Sequence, residues 1–116
     1  MSAAGTVSYI EIGSKDAGVS RSFFATVLDW KFHPMGASGQ GWFETPTIRA
    51  GLHGDNPEPQ LYVFFAVPDL IAAVEAVKAA GGQAEEIGPD EAGFGRFCNC
   101  RDPQGIRFGL HQPPKP

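Results

Sequence analysis

Apolar residues follow two rhythms along this chain, and the order of those rhythms repeats. A β-favouring run over residues 7–13 ends at Ser14 and Asp16, which are ordinary helix-start residues. Val19, Phe23, Val27 and Leu28 then recur at helical spacing, which predicts an apolar stripe laid against a sheet. Trp30, Phe32 and Met35 alternate with Lys31 and Pro34 as a strand would, and residues 36–41 read as a glycine-rich loop. Residues 42–45 and 47–53 supply two more short strands, so the first half reads β, α, β, β, β.

Residues 54–59 form the expected linker, because Pro57 and Pro59 disfavour both helix and central strand. Beyond it residues 60–67 favour a strand, and Asp69 caps a helix whose Leu70, Val74 and Val77 face one way before Gly81 and Gly82 stop it. Strands over 83–87, 94–101 and 105–111 complete a second β, α, β, β, β series, and the proline-rich tail is too donor-poor to extend a sheet. Residues repeat as well as pattern: Ile48-Arg49-Ala50-Gly51-Leu52-His53 returns 58 positions later as Ile106-Arg107-Phe108-Gly109-Leu110-His111. Both copies close a predicted unit, which indicates duplication. The expectation is one domain over 1–116, of α+β class, in which two tandem βαβββ modules (5–53 and 60–111) form curved mixed sheets around a cleft.

Length and composition narrow the function. A chain of 116 residues, 42% hydrophobic and with nine Phe, is enough for one packed core. Nine basic against thirteen acidic residues give a net charge of -4, and no basic cluster is present to follow a phosphate backbone, so nucleic acid is not expected as a partner. No secretory leader and no membrane-length apolar run is seen, so a cytoplasmic protein without membrane attachment is expected. Cys98 and Cys100 fall on one face of a strand, where a mutual disulfide would be strained, and read as reduced packing residues.

Two modules of this order resemble the vicinal oxygen chelate superfamily of glyoxalases, bleomycin-resistance proteins and extradiol dioxygenases, and within it the glyoxalase-like proteins related to lactoylglutathione lyase. The likeness is carried by Tyr9-Ile10-Glu11-Ile12, Ser22-Phe23-Phe24, Val27-Leu28-Asp29-Trp30 and Val67-Pro68-Asp69-Leu70. The block from Gly93 to Phe97 and the run from Arg101 to Leu110 add to it. The resemblance to metal-dependent members of the superfamily, such as glyoxalase I, implies a divalent metal held by His or carboxylate on the first and last strands of each module. Those positions here are Tyr9, Gly51, Tyr62 and Gly109. A phenol with a pKa of about 10 seldom binds such metals and glycine has no side chain, so no metal ligand and no cofactor is expected.

Strand alternation places Glu11 and Phe64 on the face of Tyr9 and Tyr62, with Arg49 and His53 flanking Gly51 and Arg107 and His111 flanking Gly109. Glu11 is the candidate general base, or else the partner of Arg49 or Arg107. Tyr9, Tyr62, Trp42, Phe64, Arg49, Arg107, His53 and His111 are candidate ligand contacts, Trp42 by stacking on a planar ligand or, alternatively, as core. His53 and His111 also fit solvated strand ends. The leading expectation is a metal-free small-molecule-binding protein, sequestering an aromatic natural product or xenobiotic. The alternative is a lyase, isomerase or hydroxylase of the same superfamily, metal-free or with a non-standard metal site. A homodimer is expected, because each sheet has a second face to cover, with Trp30, Trp42 or Phe43 as candidate contacts or, alternatively, core residues.

Overall fold

The observed elements follow the predicted series. In the computed structural model, which describes residues 4–36 and 39–115, β1 (Val7–Gly13), α1 (Ala17–Leu28), β2 (Lys31–Pro34), β3 (Gly41–Glu44) and β4 (Arg49–His53) are followed by β5 (Gln60–Ala66), α2 (Leu70–Ala79), β6 (Gln83–Ala84), β7 (Arg96–Arg101) and β8 (Arg107–Gln112). The class is α+β, as expected. Residues 37 and 38 of the predicted loop lie outside the described residues. The chain divides into two compact units, residues 9–62 and residues 63–115 with 4–8.

In the 9–62 unit the strand order is β2-β3-β4-β1, antiparallel except for β1 against β4. That parallel pair requires a crossover, which α1 supplies. Asp16 caps α1 by accepting a hydrogen bond from the Val19 N–H, and Asp29 ends it in a left-handed conformation. Ile10 and Ile12 of β1, Phe32 of β2, Phe43 of β3 and Ala50 and Leu52 of β4 all point to the α1 side of the sheet, where they form the core.

The helix itself turns a different stripe to that core. Val19, Phe23 and Val27 are 58% to 67% exposed and Leu28 is exposed as well, while Ala17, Phe24 and Ala25 pack inward. Both stripes are apolar, so periodicity alone could not rank them. The aromatic set decides: Phe24 lies parallel to Trp30 at 6.0 Å and meets Phe43 edge-on at 6.4 Å. Of the two readings open for Trp30 and Phe43, contact or core, the structure shows core packing, Phe43 fully buried and Trp30 partly buried against it.

In the second unit the order is β5-β8-β7-β6, with β5 and β8 parallel. Leu70 and Val74 of α2 are buried and Val77 packs beside them, as predicted, against Cys98, Cys100 and Leu110. Strands of this unit are shorter than expected, β6 and β7 most clearly. The strand predicted over 83–87 ends at Ala84, although Glu85 and Gly88 still donate to the carbonyls of Asn99 and Phe97. The strand predicted from 94 begins at Arg96, because Glu91 and Gly95 bridge across a turn in which Gly93 and Gly95 take positive φ. Cys98 and Cys100 are buried free thiols with sulfurs 4.0 Å apart. Burial pushes Cys98 up, and burial together with Cys98 pushes Cys100 up to about 12.

Candidate functional site

The face of the 9–62 sheet opposite α1 collects most of the unit's chemistry. Period-2 alternation and the register place Tyr9, Glu11 and Gly13 of β1 beside Arg49, Gly51 and His53 of β4 respectively. Trp42 of β3 lies across from Gly51, and His33 of β2 lies across from Trp42. Gly51 leaves room at the centre of this grid that neighbouring side chains take up. A Cβ there would collide with Glu11 Oε1 and the Tyr9 hydroxyl, both of which lean over the glycine backbone.

Glu11 and His53 make a close polar contact on this face, with Glu11 Oε2 2.6 Å from His53 Nδ1. Neither is sealed off, since the His53 side chain is 36% exposed. The other ring nitrogen, Nε2, lies 3.2 Å from Asn56 Nδ2. Asn56 belongs to the segment expected as a linker, which instead folds back along the end of β1. Asp55 N–H donates to Lys15 O at 3.0 Å and Asn56 N–H to Ser14 O at 2.9 Å.

Trp42 is less open to a ligand than its residue type suggests. His33 from β2 stacks on it at 4.1 Å, and from the β4 side the Arg49 guanidinium sits 4.7 Å from its ring centroid. His33 also contacts Glu44 at 2.6 Å. Face-on stacking of a ligand on Trp42 therefore has to displace His33 or Arg49.

The corresponding positions in the second unit are filled differently. Phe64 occupies the place of Glu11 opposite Gly109, and its ring covers that glycine so closely that a Cβ would collide with it. Phe97 meets Phe64 edge-on at 5.4 Å and stacks on His111 at 4.5 Å. His111 does not sit at a solvated strand end. It is only 5% exposed, with Nδ1 2.8 Å from Ser8 Oγ and Nε2 2.6 Å from the Phe94 carbonyl. Burial lowers its pKa, and the hydrogen bond to Phe94 opposes that shift in part. Tyr62 is half-buried on β5, and Arg107 is exposed at the start of β8.

The structure thus brings Tyr9, Glu11, Trp42, Arg49 and His53 together in one unit and sets Phe64 and His111 in an aromatic stack in the other. His33, Glu44 and Asn56 were not singled out from sequence. Alternation from Trp42 to Glu44 could have found the first two, since Glu44 pairs with Arg49 in register and reaches His33. Nothing local marked Asn56. A separate groove of about 340 Å³ in the second unit, lined by Ala73, Ala76, Val77, Pro103, Phe108 and Leu110, lies on the α2 side and is apolar apart from Arg101 and Asp102. It lacks the converging polar groups that orient a specific ligand.

The β, α, β, β, β order repeated in two units, with both parallel and antiparallel strand pairs, is a glyoxalase-like α+β fold. Residues 9–111 match the glyoxalase-like domain family, and the chain belongs to it. It is similar, at 25% identity over 93% of its length, to the anthracycline biosynthesis protein DnrV of Streptomyces peucetius, of which it spans 47%. It thus covers about half the length of that curated relative. Among solved structures it resembles methylmalonyl-CoA epimerase from Mycobacterium tuberculosis, with a TM-score of 0.71, 16% identity and coverage of 99% of this chain and 94% of that one. It also resembles homoprotocatechuate 2,3-dioxygenase from Arthrobacter globiformis, with a TM-score of 0.74, 19% identity and coverage of 97% and 37%. These two likenesses show the fold.

The residues present do not fit the metal that the superfamily implies. Tyr9 offers a phenol and Gly51 no donor, and Glu11 Oε2 and His53 Nδ1 face each other at hydrogen-bond distance. Among the described residues no three His, Cys, Asp or Glu side chains are grouped to hold an ion.

Proposed function

We propose that this chain is a metal-free small-molecule-binding protein of the glyoxalase-like family, working in the cytoplasm as a homodimer. We infer that its ligand is a flat, hydroxylated aromatic compound, a natural product or xenobiotic, held on the sheet face that carries Tyr9, Glu11, Arg49 and His53. One observation carries this reading. Where chelating side chains would stand, Tyr9 and Glu11 close over Gly51 and Glu11 bonds His53, which leaves a face built of hydrogen-bonding groups and an aromatic border. Such a face suits a planar ligand with a few polar substituents. The similarity to an anthracycline biosynthesis protein supports the ligand class. Tyr62, Phe64, Arg107 and His111 remain proposed contacts of secondary weight, since Phe64 and His111 are already buried.

A thermal-shift series with hydroxyanthraquinones, set beside elemental analysis of the purified protein, tests the reading. A ligand at 100 times its Kd should stabilise the native state by about 2.7 kcal/mol. About one tightly held divalent ion per chain would overturn the metal-free form.

The Glu11–His53 pair also favours a second reading, an isomerase, lyase or hydroxylase that moves a proton without metal. A carboxylate that orients an imidazole is a recurrent arrangement for general-base work. Hydrogen–deuterium exchange into a bound ligand at carbon positions inert in buffer, lost in Glu11→Ala, would favour this reading over binding alone.

A further inference from the structure

The hydrogen bonds around His53 determine which ring nitrogen carries the proton. Asn56 Oδ1 accepts from the Glu58 N–H at 3.1 Å, which fixes the amide's orientation independently of the histidine. Its Nδ2, which can only donate, then faces His53 Nε2 at 3.2 Å. Nε2 must accept, so the neutral ring carries its proton on Nδ1, where Glu11 Oε2 receives it at 2.6 Å. The backbone holds this arrangement in place. Ser14 N–H donates to His53 O, and the bonds from Asp55 and Asn56 to Lys15 and Ser14 fasten the loop. Gly13 makes room, since a Cβ there would strike Asn56 Nδ2.

An imidazole locked in this way presents one lone pair, on Nε2, and the Asn56 side-chain amide faces it. We propose that His53 Nε2 is the recognition atom of the site, that it takes the O–H of a phenol or enol, and that Asn56 is the positioning residue that covers it until the ligand displaces the amide. The inference rests on the proposed function for the site and narrows it: a flat ligand without a hydroxyl donor is not a full match. An ether or quinone oxygen can only accept, and would face another acceptor.

Paired probes test this without knowledge of the natural ligand. Long-range nitrogen NMR of the full chain at about pH 8.5, where an ordinary imidazole is neutral, reports the His53 tautomer, and the indole N–H resonance of Trp42 reports occupancy of the face. The wild type should show the Nδ1–H form. 1-Naphthol should move the Nε2 resonance, whereas 1-methoxynaphthalene, of similar shape but without the hydroxyl, should not. Asn56→Ala removes the competing amide and should tighten 1-naphthol binding roughly tenfold. Asn56→Asp faces Nε2 with an acceptor, so it should protonate Nε2 and abolish the response, a change that loss of loop packing alone would not produce.

A wild-type Nε2–H tautomer, equal Nε2 shifts with both probes, or weaker 1-naphthol binding in Asn56→Ala would each overturn the proposal. If both probes move the Trp42 resonance equally and leave His53 untouched, aromatic binding at this face stands and the role of Nε2 falls. If neither probe nor any hydroxyanthraquinone moves either resonance, both readings fall together.

Discussion

His53 and His111 close corresponding strands and are tied by opposite ring nitrogens. His53 Nδ1 faces the Glu11 carboxylate, while His111 must donate from Nε2, because the Phe94 carbonyl can only accept. One ring is partly exposed and the other is built into packing, which makes a pH test of the second direct. Burial lowers the folded pKa of His111. The unfolded chain therefore takes up a proton near the ordinary value of about 6.5 before the folded one does. Stability should be flat with respect to this group above that pH and fall as pH drops through it toward the lowered folded value, because there the unfolded state binds more protons. Urea unfolding from about pH 7.5 down to pH 5 should show that decline, reduced in His111→Gln. Alternation along short strands made Glu11, Arg49 and His53 legible as neighbours on one face before any coordinates. It could not show that Glu11 bonds His53, since that depends on the parallel register of β1 with β4. Asn56 was illegible because its position comes from a loop returning to Gly13, a contact without sequence periodicity.

At the level of elements, the order of strands and helices was readable throughout, and the misjudged feature was the rotation of α1 about its own axis. Two apolar stripes competed, Val19-Phe23-Val27 and Ala17-Phe24-Ala25, and only the aromatic packing around Phe43 ranks them. α2 posed no such ambiguity, since its outward side includes Glu75 and Lys78. A pair of adjacent substitutions separates the two faces of α1. Phe24→Ala should cost about 2 kcal/mol or more by removing contacts with Trp30 and Phe43. Phe23→Ser should stay within about 0.5 kcal/mol of wild type, because its ring is largely in solvent. Denaturant midpoints with unchanged slopes would establish both values, and a large loss in Phe23→Ser would mean that this stripe is covered in solution. The shortening of β6 is of a different kind, since Glu85 and Gly88 keep backbone bonds to Asn99 and Phe97 beyond the end of the strand.

For the molecule as a whole, two units of the same β, α, β, β, β order have come to hold different contents: a carboxylate, a phenol and an imidazole around Gly51, and a phenyl stack over Gly109. The order was visible in the duplicated hexapeptide. The difference was visible too, in Glu11 against Phe64, although its meaning emerged only when each side chain was seen to cover its glycine. The homodimer proposed above is checked by light scattering at micromolar concentration, where twice the 12.4 kDa chain mass is expected and a value near 12.4 kDa would show a monomer. No helix among the described residues is long and apolar enough to cross a membrane. The buried cysteine pair has a practical consequence for such solution work. Both native thiols are shielded between sheet and α2 and held protonated, Cys100 up to about 12, so they are poor nucleophiles toward alkylating reagents. A cysteine introduced on the surface would be the preferred point of attachment for a dye or spin label, and the chain can carry such a reporter beside Trp42 without first being stripped of its own sulfur.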